Sequence, residues 1–201
     1  MTIPIPIIIY QTMKKIVFAT NNAHKLEEVR AIVGDRFEIV PLAATGITEE
    51  IPETSDTLEG NALQKARYIY ERTGLDCFAD DTGLEVAALG GAPGVHSARY
   101  ATDGHDHAAN RALLLRNLEG VTDRSARFRT AIALIQEGAE RLCEGVVRGT
   151  IATEERGEGG FGYDSLFIPE GHTTTFAEMS PELKNSMSHR GRAVEKLAEM
   201  L

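Results

Sequence analysis

Tryptophan is absent from the 201 residues, cysteine occurs only twice, and positive charge is in deficit. Cys77 and Cys143 form neither a metal-ligand spacing nor a disulfide framework. Both thiols are expected free, which fits a reducing cytoplasm. With 21 Lys and Arg against 30 Asp and Glu, the formal net charge is −9. A general nucleic-acid-binding surface neutralises phosphates with a basic excess, so no nucleic-acid polymer is expected as a partner. An anionic ligand must then meet a local cluster of cations. No G-x-x-x-x-G-K-[S/T] phosphate loop occurs, which removes the commonest nucleoside-triphosphatase architecture. The apolar segment at 2–10 (TIPIPIIIY) is far too short to span a bilayer, is interrupted by Pro4 and Pro6, and lacks a basic region before it. No membrane partner is expected. Residues 1–12, which end before a second methionine at Met13, read as a disordered N-terminal extension, and 13–201 as a single domain.

What is present suits a soluble α/β domain: 42% hydrophobic and 25% charged residues, enough for a sizeable core. Residues 15–20 (KIVFAT) read as a buried strand. After the polar break Asn21-Asn22-Ala23-His24-Lys25, residues Leu26, Val29 and Ile32 or Val33 take up helical spacing until Gly34. Residues 38–42 suit a second strand. A loop holding Glu49, Glu50, Pro52 and Glu53 leads to a helix that starts near Asp56 or Thr57 and closes at Gly74. On that helix Leu58, Ala62, Ala66 and Ile69 form one apolar stripe, with Asn61 and Lys65 along its edge. Residues 77–79 form a short strand running into Asp80-Asp81-Thr82-Gly83. Helical spacing returns at 108–118. The β-rich runs 127–135 and 142–151 flank Gln136-Glu137-Gly138-Ala139-Glu140, a hairpin signal, so the sheet is expected to be mixed. A loop rich in glycine (Gly157, Gly159, Gly160, Gly162) precedes a strand at 165–168, and the chain finishes in helix.

Four places carry candidate chemistry. Thr20, Asn21, Asn22, Ala23, His24 and Lys25 lie between a strand and a helix N-terminus, where free N–H groups and the helix dipole attract anions. Asn before a helix is also an ordinary N-cap. Asp80 and Asp81 follow a strand, where open α/β sheets place ligand-contacting loops. They read either as a solvated turn or as a ligand for Mg²⁺, a hard cation held by one or two carboxylates plus water and phosphate oxygens. Glu53 is the best second carboxylate. Phe161-Gly162-Tyr163-Asp164 suits stacking on a base or core packing. Ser180 starts a helix, and if Ser188 caps another, His189 and Arg190 fall in its first turn beside free N–H groups.

Together these pieces resemble the inosine triphosphate pyrophosphatase family. The resemblance runs from Met13 through KKIVFATNNAHKLEEV at 14–29, TLEGNALQKA at 57–66, ADDTGL at 79–84, LGGAPGVHSARY at 89–100, GGFGYDSLF at 159–167 and KNSMSHRGRA at 184–193. It implies a two-lobed α/β fold around an elongated mixed sheet flanked by helices, an active site in the cleft between lobes, and a homodimer. It also implies Mg²⁺-dependent hydrolysis of inosine, deoxyinosine and xanthosine triphosphates to monophosphate and pyrophosphate. Residue by residue, Thr20 to Lys25 match the triphosphate-binding segment and Lys65 a further phosphate contact. Asp81 matches the catalytic general base and a metal ligand, and Glu53 the second metal ligand. Thr82, Phe161, Gly162, Tyr163, Asp164, Lys184, His189 and Arg190 match substrate contacts. The alternatives are a related pyrophosphatase for modified pyrimidine nucleotides and a nucleotide-sensing module without catalysis.

Overall fold

The computed structural model describes residues 13–201. The expected extension at 1–12 lies outside the described residues.

Strand β1 (Lys14–Phe18) feeds helix α1 (Ala23–Val33) through a polar turn. Asn22 caps the helix by accepting the Lys25 N–H at 3.1 Å, and Thr20 Oγ1 accepts the Asn22 N–H at 3.2 Å. The chain returns as β2 (Phe37–Pro41), parallel to β1. Helix α2 (Leu58–Thr73) begins at Thr57, which accepts the Gly60 N–H at 3.0 Å, and ends at Gly74 with φ 65°. Its apolar stripe Leu58, Ala62, Ala66 and Ile69 is at most 2% exposed. Burying Leu58 and Ile69 contributes roughly 1.5–3 kcal/mol each.

Strand β3 (Cys77–Val86) continues through Asp80-Asp81-Thr82-Gly83, where a turn was one of the expectations. It persists because antiparallel β5 (Ser125–Gln136) pairs with it along its whole length, from Cys77↔Ile135 to Val86↔Ala126. That partner lies some fifty residues away in sequence, so local turn chemistry is overridden. Short β4 (Pro93–Gly94) pairs with the end of β3. Helix α3 (His107–Asn117) follows. The expected hairpin is present: β6 (Ala139–Ile151) returns along β5 through a tight turn with Glu137 at φ 51° and Gly138 at φ 78°. β7 (Phe167–Pro169), α4 (Pro181–Met187) and α5 (His189–Met200) complete the chain. Ser188 separates the two helices, accepting the Gly191 N–H at 3.0 Å.

The mixed sheet has the order β2-β1-β3-β5-β6-β7, with β4 beside β3. One end is covered on both faces. α2 packs over Val17, Ala79 and Ala133, whereas α1 and α5 pack over Phe18, Phe78 and Leu134. The other end carries a separate core, in which Phe128, Phe167 and Phe176 meet Leu114 and Leu118. The cleft lies between these two packed regions. β3 and β5 run through both.

Candidate active site

Alternation along β3 sends its two adjacent aspartates to opposite faces. Asp80 turns toward α1 and α5, where Lys25 Nζ donates to Oδ1 at 2.9 Å and Arg190 approaches Oδ2 at 3.4 Å. Asp81 turns toward α2, receiving the Asn61 Nδ2 hydrogen bond at 3.0 Å. The Thr82 N–H also donates to it, at 2.9 Å. These opposite surroundings split the acidity of the pair. Burial opposes ionisation of Asp80, but Lys25 and Arg190 outweigh it and hold the carboxyl well below the usual range. Burial also dominates at Asp81, and there Lys65 and Lys25 do not fully offset it, so its pKa is raised. Asp80 is a structural anion locked between cations. Asp81 is a buried carboxylate whose hydrogen bonds, among the described residues, come from neutral donors.

Lys65, on the edge of α2, pairs with Glu53. Burial works against its charge, but Asp81, Glu53 and Asp80 raise its pKa overall. Glu53 and Asp81 both line the cleft beside Lys25 and Lys65. Both are hard oxygen donors, and Asp81, buried without a direct cationic partner, is the kind of donor a hard cation satisfies. No group of three His, Cys, Asp or Glu among the described residues is arranged to hold a metal. A cation bound there would take its remaining ligands from water and phosphate oxygens.

In the same cleft, Lys184 donates to Asp164 Oδ2 at 2.7 Å and to Glu28 at 2.5 Å, and Arg190 also pairs with Glu28. Arg190 reaches Thr82 Oγ1 at 3.2 Å, and Thr82 shares a 2.8 Å hydrogen bond with Thr130. His189 stacks on Phe128 with centroids 4.5 Å apart. Burial, then Arg190 and Lys184, hold it neutral well below the usual imidazole range. Its Nδ1 is buried without a hydrogen-bond partner among the described residues. The cavity joining these groups measures about 440 Å³. A second groove of about 670 Å³, over Glu85, Arg127 and Arg148, contains none of the expected site residues.

The Ham1 family model matches residues 16–200. The chain belongs to that family. It is 57% identical over 190 residues to the dITP/XTP pyrophosphatase of Porphyromonas gingivalis, covering 94% of this chain and 98% of the relative. It is 47% identical to the enzyme of that name from Nocardia farcinica, covering 94% and 96%. Among solved structures, a HAM1 protein from Coxiella burnetii superposes with a TM-score of 0.85 at 41% identity, covering 94% of this chain and 98% of that one. A nucleoside-triphosphatase, dITP/XTP pyrophosphatase, from Mycobacterium abscessus gives 0.74 at 46%, covering 91% and 98%.

In this Ham1 chain the cleft is lined by nearly all of the expected residues, from Thr20, Asn21, Asn22 and Lys25 to Lys184, His189 and Arg190. Ala23 and His24 are not among the lining residues. Tyr163 lines the cavity, yet its hydroxyl is committed to the Ser97 carbonyl at 2.7 Å. Asp164 is buried and accepts the Phe161 N–H at 2.9 Å, so it shapes the glycine-rich loop. Sequence reasoning did not single out Glu28, His105 or His107. Glu28 on α1 pairs with two cations from the C-terminal helices, a contact across more than 150 residues with no local signature.

Proposed function

We propose that this Ham1 protein hydrolyses the non-standard purine nucleotides inosine, deoxyinosine and xanthosine triphosphate to monophosphate and pyrophosphate, clearing them from the nucleotide pool. The observation that carries the reading is the gathering of phosphate-type and base-type groups in one cleft. Lys25 and Lys65 stand beside the buried Asp81, and Phe161, Lys184, His189 and Arg190 line the same cavity, with Lys25 and Arg190 meeting at Asp80. A triphosphate lies against the first set and a base against the second. Asp81 as carboxylate accepts the proton of a water whose oxygen attacks the α-phosphorus. As that P–O bond forms, the bond to the α–β bridging oxygen breaks, and pyrophosphate departs with the electron pair. Lys25 and Lys65 stabilise the charge that builds there. Asp81 and Glu53 would hold Mg²⁺, whose chemistry when bound would be to neutralise the phosphates further and lower the pKa of the water.

At the base end, the cationic donors of Lys184 and Arg190 face an acceptor at O6 of hypoxanthine or xanthine. Adenine presents an amine there, so donor meets donor. A site built for one such group rejects an analogue lacking it by roughly 10⁴-fold. The chain is further proposed to act as a homodimer, as the family resemblance implies, and in the cytoplasm, which its two free cysteines fit. A panel of nucleoside triphosphates with Mg²⁺, products resolved by phosphorus NMR, tests the reading. Inosine and xanthosine triphosphates should exceed ATP by orders of magnitude in kcat/KM, and pyrophosphate should be released. Comparable values for ATP would sink the base-reading role, and stoichiometric orthophosphate would sink cleavage at the α-phosphorus.

A further inference from the structure

Phe161 sits where the glycine-rich loop meets the cleft. Its backbone is fixed by Asp164, whose Oδ2 accepts the Phe161 N–H at 2.9 Å and is itself bound by Lys184 at 2.7 Å. Its ring is another matter. The flanking residues Gly160 and Gly162, at φ 71° and 62°, supply no side chain to brace it. The braces come from other elements. The His24 imidazole stacks on the phenyl ring with centroids 5.3 Å apart and planes within 14°. The His107 ring stands edge-on at 6.5 Å and 61°.

These two histidines differ in position. Phe161, His105 and His107 line the cavity, and His24 does not. His24 thus meets the phenyl ring by stacking without itself lining the cavity. It belongs to the second residue of α1, in the opposite lobe from the loop that carries Phe161. One residue later Lys25 points to Asp80. Successive helical side chains diverge by about 100°, so a residue next to the phosphate-facing Lys25 is carried toward the base end instead.

We propose that His24 is a positioning residue for nucleobase recognition, backing the Phe161 ring so that it is held in place for the purine, together with the Lys184 and Arg190 cations that stand over the ring 5.3 and 5.6 Å from its centroid. This rests on the reading above in which Phe161 takes the base. A ring already held needs no ordering when the ligand arrives, which is how a brace gains affinity. The expected place of His24 in the triphosphate-binding segment assigned it to the phosphates, and the two assignments predict different losses.

The test uses His24→Ala and His24→Phe in the full chain. KM and kcat are read for inosine triphosphate, together with inhibition by inosine monophosphate and by inorganic tripolyphosphate. Aromatic pair energies from double-mutant cycles correspond to a loss of roughly 2- to 12-fold. His24→Ala should raise KM and weaken inosine monophosphate by that factor, with kcat and tripolyphosphate inhibition unchanged. His24→Phe should restore both affinities, and His24→Ala should add nothing in a Phe161→Ala background. Parallel loss of tripolyphosphate inhibition, failure of His24→Phe to restore, or full additivity with Phe161→Ala would overturn the proposal. If Phe161→Ala raises KM and His24→Ala does not, the role of His24 alone fails. If Phe161→Ala itself leaves KM unchanged, the base-stacking reading fails with it.

Discussion

Adjacent Asp80 and Asp81 should respond in opposite ways to the same isosteric change. Asp80→Asn removes the anion between Lys25 and Arg190, leaving buried Lys25 without its ion-pair partner and Arg190 with Glu28 alone. Breaking a buried pair by deleting one member costs about 3–5 kcal/mol. For a domain of this size, each kcal/mol lowers the thermal midpoint by roughly 2–4 °C, so the midpoint should fall by about 6–20 °C. Asp81→Asn removes a charge that burial already disfavours. Its midpoint should match or exceed the wild type in metal-free buffer, while turnover drops about 10²-fold or more through loss of the general base. Thermal unfolding followed by circular dichroism at neutral pH, beside pyrophosphate release, reads both effects. An Asp80→Asn midpoint within about 2 °C of wild type would refute the assignment of Asp80 as a locked structural anion. Equal destabilisation by the two substitutions would refute the argument from strand alternation.

Chelation with EDTA should abolish turnover, and added Mg²⁺ should restore it; full activity in exhaustively chelated protein would remove the cation from Asp81 and Glu53. Stability should also depend on acid pH in a stated direction. Glu28, between Arg190 and Lys184, and Asp80 both have folded pKa values below their ordinary ones, despite the burial that opposes them. Their contribution is fully present above the unfolded values, near about pH 4, and is lost as pH falls through the lower folded values. The thermal midpoint should therefore drop steeply on acidification in the wild type and less steeply in Asp80→Asn, and parallel profiles would contradict the linkage.

Much of the site was legible because its residues sit beside punctuation that sequence displays. Asn22, Thr57 and Ser188 are helix caps, and the caps fix where the helices that carry Lys25, Lys65 and Arg190 begin. The hairpin at Glu137-Gly138 was legible for the same reason. The strand character of Asp80-Asp81-Thr82-Gly83 was not, since charged residues beside a glycine look like a turn until β5 is known to pair with them. Nor did any local pattern separate the roles of the two aspartates. Their difference comes from α1 and α5 on one face and α2 on the other, contacts made across tens of residues. The direction of His24 was hidden likewise, because helical phase relative to a loop over a hundred residues away is a tertiary fact.

The placement of Asp81 inside a long paired strand also governs how the enzyme loses activity. Active-site residues on loops are released by local openings far cheaper than global unfolding. Here β3 is held along its length by β5, with α2 packed over Cys77 and Ala79 on one face and α1 and α5 over Phe78 on the other. Fraying at a terminus or movement of the 98–107 loop leaves Asp81 and Asn61 in register. Heat inactivation should follow the collapse of the whole sheet, and the amide hydrogens of β3 opposite Ala131 and Thr130 belong with the slowest to exchange.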